Sequence, residues 1–145
     1  MKKGFDYIGV TTVYFCHDGK GNFIMAKRSK QARDENGRWD IGGGGMEFGD
    51  TVEKTLQKEI KEEYNTDVLD FEFLGIRDVH RKHEGQKTHW IALDYKVLVD
   101  PKIVKNNEPH KFDEIKWFRM DNIPPQSELH SVLPEFLEKY KNKLN

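Results

Sequence analysis

A chain of 145 residues, 36% hydrophobic and 34% charged, is long enough to bury a core without staples and too short for two, so one domain over residues 1–145 is expected. Its 24 Lys plus Arg nearly balance 25 Asp plus Glu, and the formal charge of −1 leaves no global basic field to draw it to nucleic acid polymers or anionic lipid. A lone cysteine, Cys16, excludes an internal disulfide framework and a zinc site built on several thiolates, and no apolar run approaches the ~18 residues of a membrane span. Asp6 and Gly9 interrupt any signal-peptide core after the basic start, so a soluble, cytoplasmic protein is expected.

In chain order, Tyr7 to Cys16 and Phe23 to Arg28 are rich in β-branched and aromatic residues and flank a turn cluster, Asp18-Gly19-Lys20-Gly21-Asn22, which predicts a hairpin. Ser29 to Gly37 is polar and aperiodic, a surface loop. Arg38-Trp39-Asp40-Ile41 reads as a short strand running into four glycines, Gly42 to Gly45, which permit a tight turn with positive φ and close approach to a ligand. A helix follows from Asp50 to Tyr64, with Asp50 as its cap and Glu53 completing a capping box. Val68 to Val79 and Thr88 to Val99 predict a second, longer antiparallel pair joined by a polar connection containing Gly85. Asp100 to Lys111 is a loop opened by Pro101, and Ile115 to Met120 a last strand. Pro124-Pro125 breaks the chain before a helix from Leu129 to Tyr140, in which Leu133, Phe136, Leu137 and Tyr140 share a face and Pro134 falls in the first turn. This order implies an α/β fold, an α/β/α sandwich with a mixed β-sheet between helices.

The chemistry concentrates on the first helix. On a wheel of about 100° per residue, Val52, Leu56 and Ile60 mark a stripe about 80° wide, with Lys54, Gln57, Lys58, Lys61 and Tyr64 opposite. Glu63 falls inside that stripe, and Glu59 and Glu62 lie along its edge. Buried like charges are unfavourable without a partner, and a hard divalent cation such as Mg²⁺ or Mn²⁺ resolves the conflict. A backbone carbonyl of the glycine run is available to join it.

The run Gly44, five residues, Asp50, seven residues, Lys58-Glu59-Ile60-Lys61-Glu62-Glu63-Tyr64-Asn65-Thr66 resembles the signature of the Nudix hydrolases. The lead-in Trp39 to Asp50 is similar as well, with Gly42 where proline is common in that family. The resemblance implies a magnesium-dependent pyrophosphohydrolase in which Glu59 and Glu63 are the principal metal ligands, assisted by Glu62 and the Gly43 carbonyl. Asp50, Lys58, Asn65 and Thr66 depart from the signature. Asn suits a left-handed helix end. Lys58 replaces the Arg whose planar fork orients the catalytic Glu, so a catalytically impaired ligand-sensing or protein-interaction module is the alternative.

A second segment, Asn107-Glu108-Pro109-His110-Lys111-Phe112, ending in Trp117-Phe118, is similar to one found in members acting on nucleoside triphosphates. It makes Glu108 the leading candidate for an extra metal ligand or the general base, with Asp113 and Glu114 in reserve. Lys27, Arg28 and Lys111 are candidate phosphate contacts, surface solubility being the stronger reading for Lys27, while Trp39 either stacks a base or fills the core. His80, His83 and His89 match no His-ligand spacing and read as strand or loop histidines. The implied partner is a small nucleotide. A homodimer is compatible with the sequence.

Overall fold

The computed structural model describes residues 1–144. Seven strands and two helices follow in the order β1 (Gly9–His17), β2 (Asn22–Arg28), β3 (Trp39–Asp40), β4 (Gly42–Gly45), α1 (Val52–Tyr64), β5 (Val68–His83), β6 (Gln86–Val99), β7 (Phe112–Arg119) and α2 (Leu133–Lys139). A 3₁₀ turn at Gln126–Glu128 precedes α2. The sheet runs β3-β2-β1-β6-β5, with β4 added along β1 and β7 along β2. It is mixed because β1 and β6 are parallel while the other pairs are antiparallel.

The expected hairpin of the first two strands forms at its turn end, antiparallel with His17 opposite Phe23, without the rest of the ladder. The four glycines displace it, because Gly42–Gly45 lies as β4 against Thr11–Tyr14. The β5–β6 pair is longer than its hydrophobic pattern suggested and closes at His83 opposite Gln86. Glu84 and Gly85 between them both adopt positive φ, 52° and 82°, the geometry of a two-residue type I′ turn. The last helix begins at Leu133 rather than Leu129, with Pro134 in its first turn as expected.

Period-2 alternation sorts the apolar side chains of β1 onto two faces of the sheet. Tyr14 and Cys16 join Leu56, Ile60 and Tyr64 of α1 in one core, while Phe15 joins Leu133 and Phe136 of α2 in the other. This is an α/β/α sandwich. Leu56 and Ile60 are fully buried, each contributing roughly 1.5–3 kcal/mol and fixing which side of α1 meets the sheet. Tyr64 is also fully buried, against the expectation of a polar-side position, because its ring meets Tyr14 edge-on at 6.2 Å. No helix among the described residues is long and apolar enough to cross a membrane.

Candidate active site

The start of α1 differs from expectation by one residue. Thr51 is the cap, its Oγ1 accepting from the Lys54 N–H, so the Asp50–Glu53 box does not form. Asp50 is engaged instead by two ammonium groups, Lys54 and Lys58, each at 3.2 Å. These contacts hold its carboxyl below the usual range. At the other end Asn65 adopts φ 57°, ψ 26°, the left-handed cap for which Asn is the best substitute for glycine.

The glycines act through their missing side chains and not through positive φ, since none of Gly42 to Gly45 occupies the left-handed region. A Cβ on Gly42 would lie 2.0 Å from the Tyr14 ring, and one on Gly44 would lie 2.4 Å from Cγ and Cδ of Glu59. Strand β4 therefore lies close against Tyr14 and Glu59 because Gly42 and Gly44 are bare, and the Glu59 carboxylate rests directly on the Gly44 backbone.

Glu63 is 2% exposed, as its place in the apolar stripe requires. One oxygen accepts from the Tyr14 hydroxyl and the other from the Lys111 ammonium at 3.0 Å. Burial nevertheless pushes its carboxyl upward, outweighing the attraction of Lys111. Glu59 is pushed up as well, by burial and then by the like charges of Glu62 and Glu63, with Lys58 and Lys111 opposing. Among the described residues Glu59 has no hydrogen-bond or ion-pair partner, and Glu62 is exposed on the next turn. An unpartnered carboxylate with a raised proton affinity, flanked by two more, fits a hard divalent cation.

These groups open onto a cleft of about 530 Å³, within the range of small-molecule sites. Gly43, Gly44, Glu59 and Lys111 stand at its acidic end, while Lys3, Arg33, Arg81 and Lys82 supply cationic groups and Phe5 and Trp90 an apolar wall. Behind the carboxylates a cavity of about 120 Å³ is lined by Arg28, Asp40, Gly43, Glu63 and Lys111. Burial pushes Asp40 up to about 7 there, against the attraction of Arg28.

Lys111 reaches both spaces. Glu108 lies at the other end of its turn, accepting through its carbonyl from the Lys111 N–H, and its charge is felt at Glu63. Its carboxylate also lies 3.3 Å from His110. The reserves Asp113 and Glu114 are exposed on β7.

Two substrate candidates do not line the cleft. Arg28 is committed to Asp34, donating to its carbonyl at 2.8 Å and its carboxylate at 2.9 Å, and so anchors the Ser29–Gly37 loop. Trp39 is 8% exposed and stands edge-on to Phe118 at 5.0 Å in the α2-side core, so of its two readings the core prevails.

Several residues escaped the sequence reading. Lys3 ties the amino-terminal turn to the glycine strand by donating to the Met46 carbonyl at 2.6 Å, and Gly4 lies under the Trp90 ring, too close for any Cβ. Beneath the cleft, Arg77 forks onto Asp94 at 2.6 and 2.9 Å, and Tyr140 donates to the same carboxylate at 2.7 Å. The signal was available for that pair: Asp94 is an acid inside the apolar run Ile91 to Val99, where a charge demands a partner. Arg33, exposed in an aperiodic loop, carried no such signal.

Comparison with known proteins agrees with this geometry. Residues 8–140 match the family model described as the NUDIX domain. The nucleoside triphosphatase NudI of Enterobacter sp. (strain 638) is 28% identical over 110 residues, covering 71% of this chain and 77% of that protein, and its counterpart in Escherichia coli (strain K12 / DH10B) is 26% identical over the same length. Among solved structures, a MutT NUDIX hydrolase from Burkholderia pseudomallei superposes with a TM-score of 0.78 at 23% identity, covering 92% of this chain and 98% of that one. The NUDIX domain of Shewanella oneidensis NrtR, solved with ADP ribose, gives 0.74 at 15% identity, covering 97% and 91%. At these identities the structural likeness concerns the fold, and the family match concerns nearly the whole chain. The chain belongs to the NUDIX family and is a Nudix-type pyrophosphohydrolase.

Proposed function

We propose that this enzyme hydrolyses a phosphoanhydride bond in a nucleoside di- or triphosphate, or a related nucleoside-diphosphate derivative, with a divalent cation held by Glu59, Glu62, Glu63 and the Gly43 carbonyl. The observation that carries the reading is the wedge of Glu59 against Gly44, with Glu63 buried behind it, in a cleft whose lining also includes Lys3, Arg33, Lys82 and Lys111. The relatives described as nucleoside triphosphatases support the same substrate class. All four donors are hard oxygens, which favours Mg²⁺, with Mn²⁺ as a substitute. When bound, such a cation supplies the positive charge that offsets phosphate and acidifies a water.

The chain's own residues do the rest. Glu108 takes the proton of the attacking water. Lys111 shares its charge between Glu63 and the cleft, where it meets a phosphate oxygen, and Arg33 and Lys82 extend that contact along the polyphosphate. Lys58 is a positioning residue: anchored on Asp50, it favours the ionised form of Glu59 by its charge and touches no substrate. A small diffusible substrate agrees with a cytoplasmic setting. The test is release of phosphate or pyrophosphate from a panel of nucleotides with Mg²⁺, expected for wild type and abolished by Glu59→Gln and Glu63→Gln. An inert wild type would overturn the reading.

A further inference from the structure

Strand alternation gives the β5–β6 hairpin two faces, and the cleft is built mainly from one, with Lys82 near the turn reaching it from the other. Val79, Arg81, Thr88 and Trp90 line the cleft, whereas Asp78, His80 and His89 point from the opposite face. There the register sets His80 directly across from His89, with ring centroids 4.2 Å apart, and Asp78 lies diagonally across. Asp78 Oδ1 is 2.9 Å from His89 Nε2, and one ligand atom from each of the three residues fits within 4.8 Å of the others. The residues that sequence spacing left as unrelated strand histidines are therefore brought together by pairing, which a linear spacing rule cannot register.

We propose that Asp78, His80 and His89 form a second metal site, for a borderline-soft divalent ion of which Zn²⁺ is the best match. Two imidazoles and one carboxylate are a recurrent zinc ligand set, and three protein ligands leave the fourth tetrahedral position to water or a further donor. Mg²⁺ prefers all-oxygen coordination, so the two sites of the chain sort metals by ligand hardness: the helix carboxylates take the hard ion and the hairpin imidazoles the softer one. The scaffold is suited to the task. Sixteen- and fourteen-residue strands, closed by a tight turn, hold the donors on one rigid ladder. An ion clipped across the two strands would restrain the same backbone whose other face carries Arg81, Thr88 and Trp90 into the cleft.

The proposal does not depend on the substrate assigned above. It is tested by isothermal titration of Zn²⁺ into tag-free protein with excess Mg²⁺ present, alongside His80→Ala, His89→Ala, Glu59→Gln and Glu63→Gln. One equivalent should bind to wild type and to both glutamate variants, and each histidine variant should lose roughly tenfold or more in affinity. Imidazole NMR signals of His80 and His89 should shift on Zn²⁺ addition while that of His130, which is buried and outside the cluster, should shift less. Absence of binding, binding unchanged in both histidine variants, or binding lost in the glutamate variants alone would overturn the proposal.

Discussion

Gly44→Ala isolates the contact on which the site is built. Gly44 is not in the left-handed region, so alanine is acceptable to the backbone there, and the variant adds nothing but one methyl group. That methyl would lie 2.4 Å from Glu59 Cγ and Cδ and 2.7 Å from Oε2. Ordinary carbon contacts begin near 3.5 Å, so the carboxylate must retreat by about 1 Å. A displacement of that size at a reacting centre costs about a hundredfold in rate, or about 2.7 kcal/mol in the barrier. Gly45→Ala is the matched control, because its methyl would meet Trp90 at 3.5 Å, an ordinary contact. The assay is kcat on the best nucleotide of the panel with saturating Mg²⁺, with thermal unfolding followed in parallel. Gly44→Ala should be about a hundredfold slower with an unfolding midpoint near wild type, and Gly45→Ala should stay within a few-fold. A Gly44→Ala enzyme with at least half the wild-type rate would show that Glu59 does not need its place against β4.

Asp94→Asn should destabilise the fold by about 3–5 kcal/mol in urea unfolding, since it leaves the Arg77 guanidinium charged in a site where the pair is only 3% and 0% exposed; a loss below about 1 kcal/mol would refute the buried pair as a structural tie. Apparent Mg²⁺ affinity should weaken on acidification while an ordinary carboxylate is still ionised. The sign follows from the raised proton affinities of Glu59 and Glu63: below their elevated pKa values protons occupy the oxygens the cation needs. Lys111→Met should move that weakening to higher pH, because it removes the cation that opposes protonation of Glu63, and a titration series against Mg²⁺ reads it directly. Lys58→Arg should change kcat by less than about threefold, because the Asp50 contact needs only a cation of sufficient reach, whereas a gain of a hundredfold would favour the impaired-module alternative.

The carboxylate face of α1 was legible because helical periodicity is local: Leu56, Ile60 and Glu63 share a side by spacing alone, and Glu63 was found buried there. The sandwich class was legible from element order. What escaped depends on contacts between distant segments. Nothing in Gly42 to Gly45 distinguishes a turn from a strand, and only the meeting of Gly42 with Tyr14 and of Gly44 with Glu59 decides it. His80 and His89 are nine positions apart and become neighbours only through the register of a hairpin whose two-residue turn, Glu84-Gly85, is hidden in a longer polar stretch. Trp39 was undecidable for a related reason, since a tryptophan beside a glycine run suits a ligand and a core equally until Phe118 fills the space next to it. The cap failed by one residue because two lysines downstream claim Asp50, leaving Thr51 to satisfy the first turn.

The central claim is that the Glu59, Glu62 and Glu63 face, with a divalent cation, directs water onto a phosphoanhydride. The most direct measurement is turnover of a nucleoside triphosphate in 18O-enriched water, followed by 31P NMR, for wild type and Glu59→Gln, with Mg²⁺ and with chelator. The account predicts one 18O atom in a single phosphorus-containing product, formed by wild type only when Mg²⁺ is present and reduced to background in Glu59→Gln. Equal labelled product from Glu59→Gln, or from wild type in chelator, would contradict it.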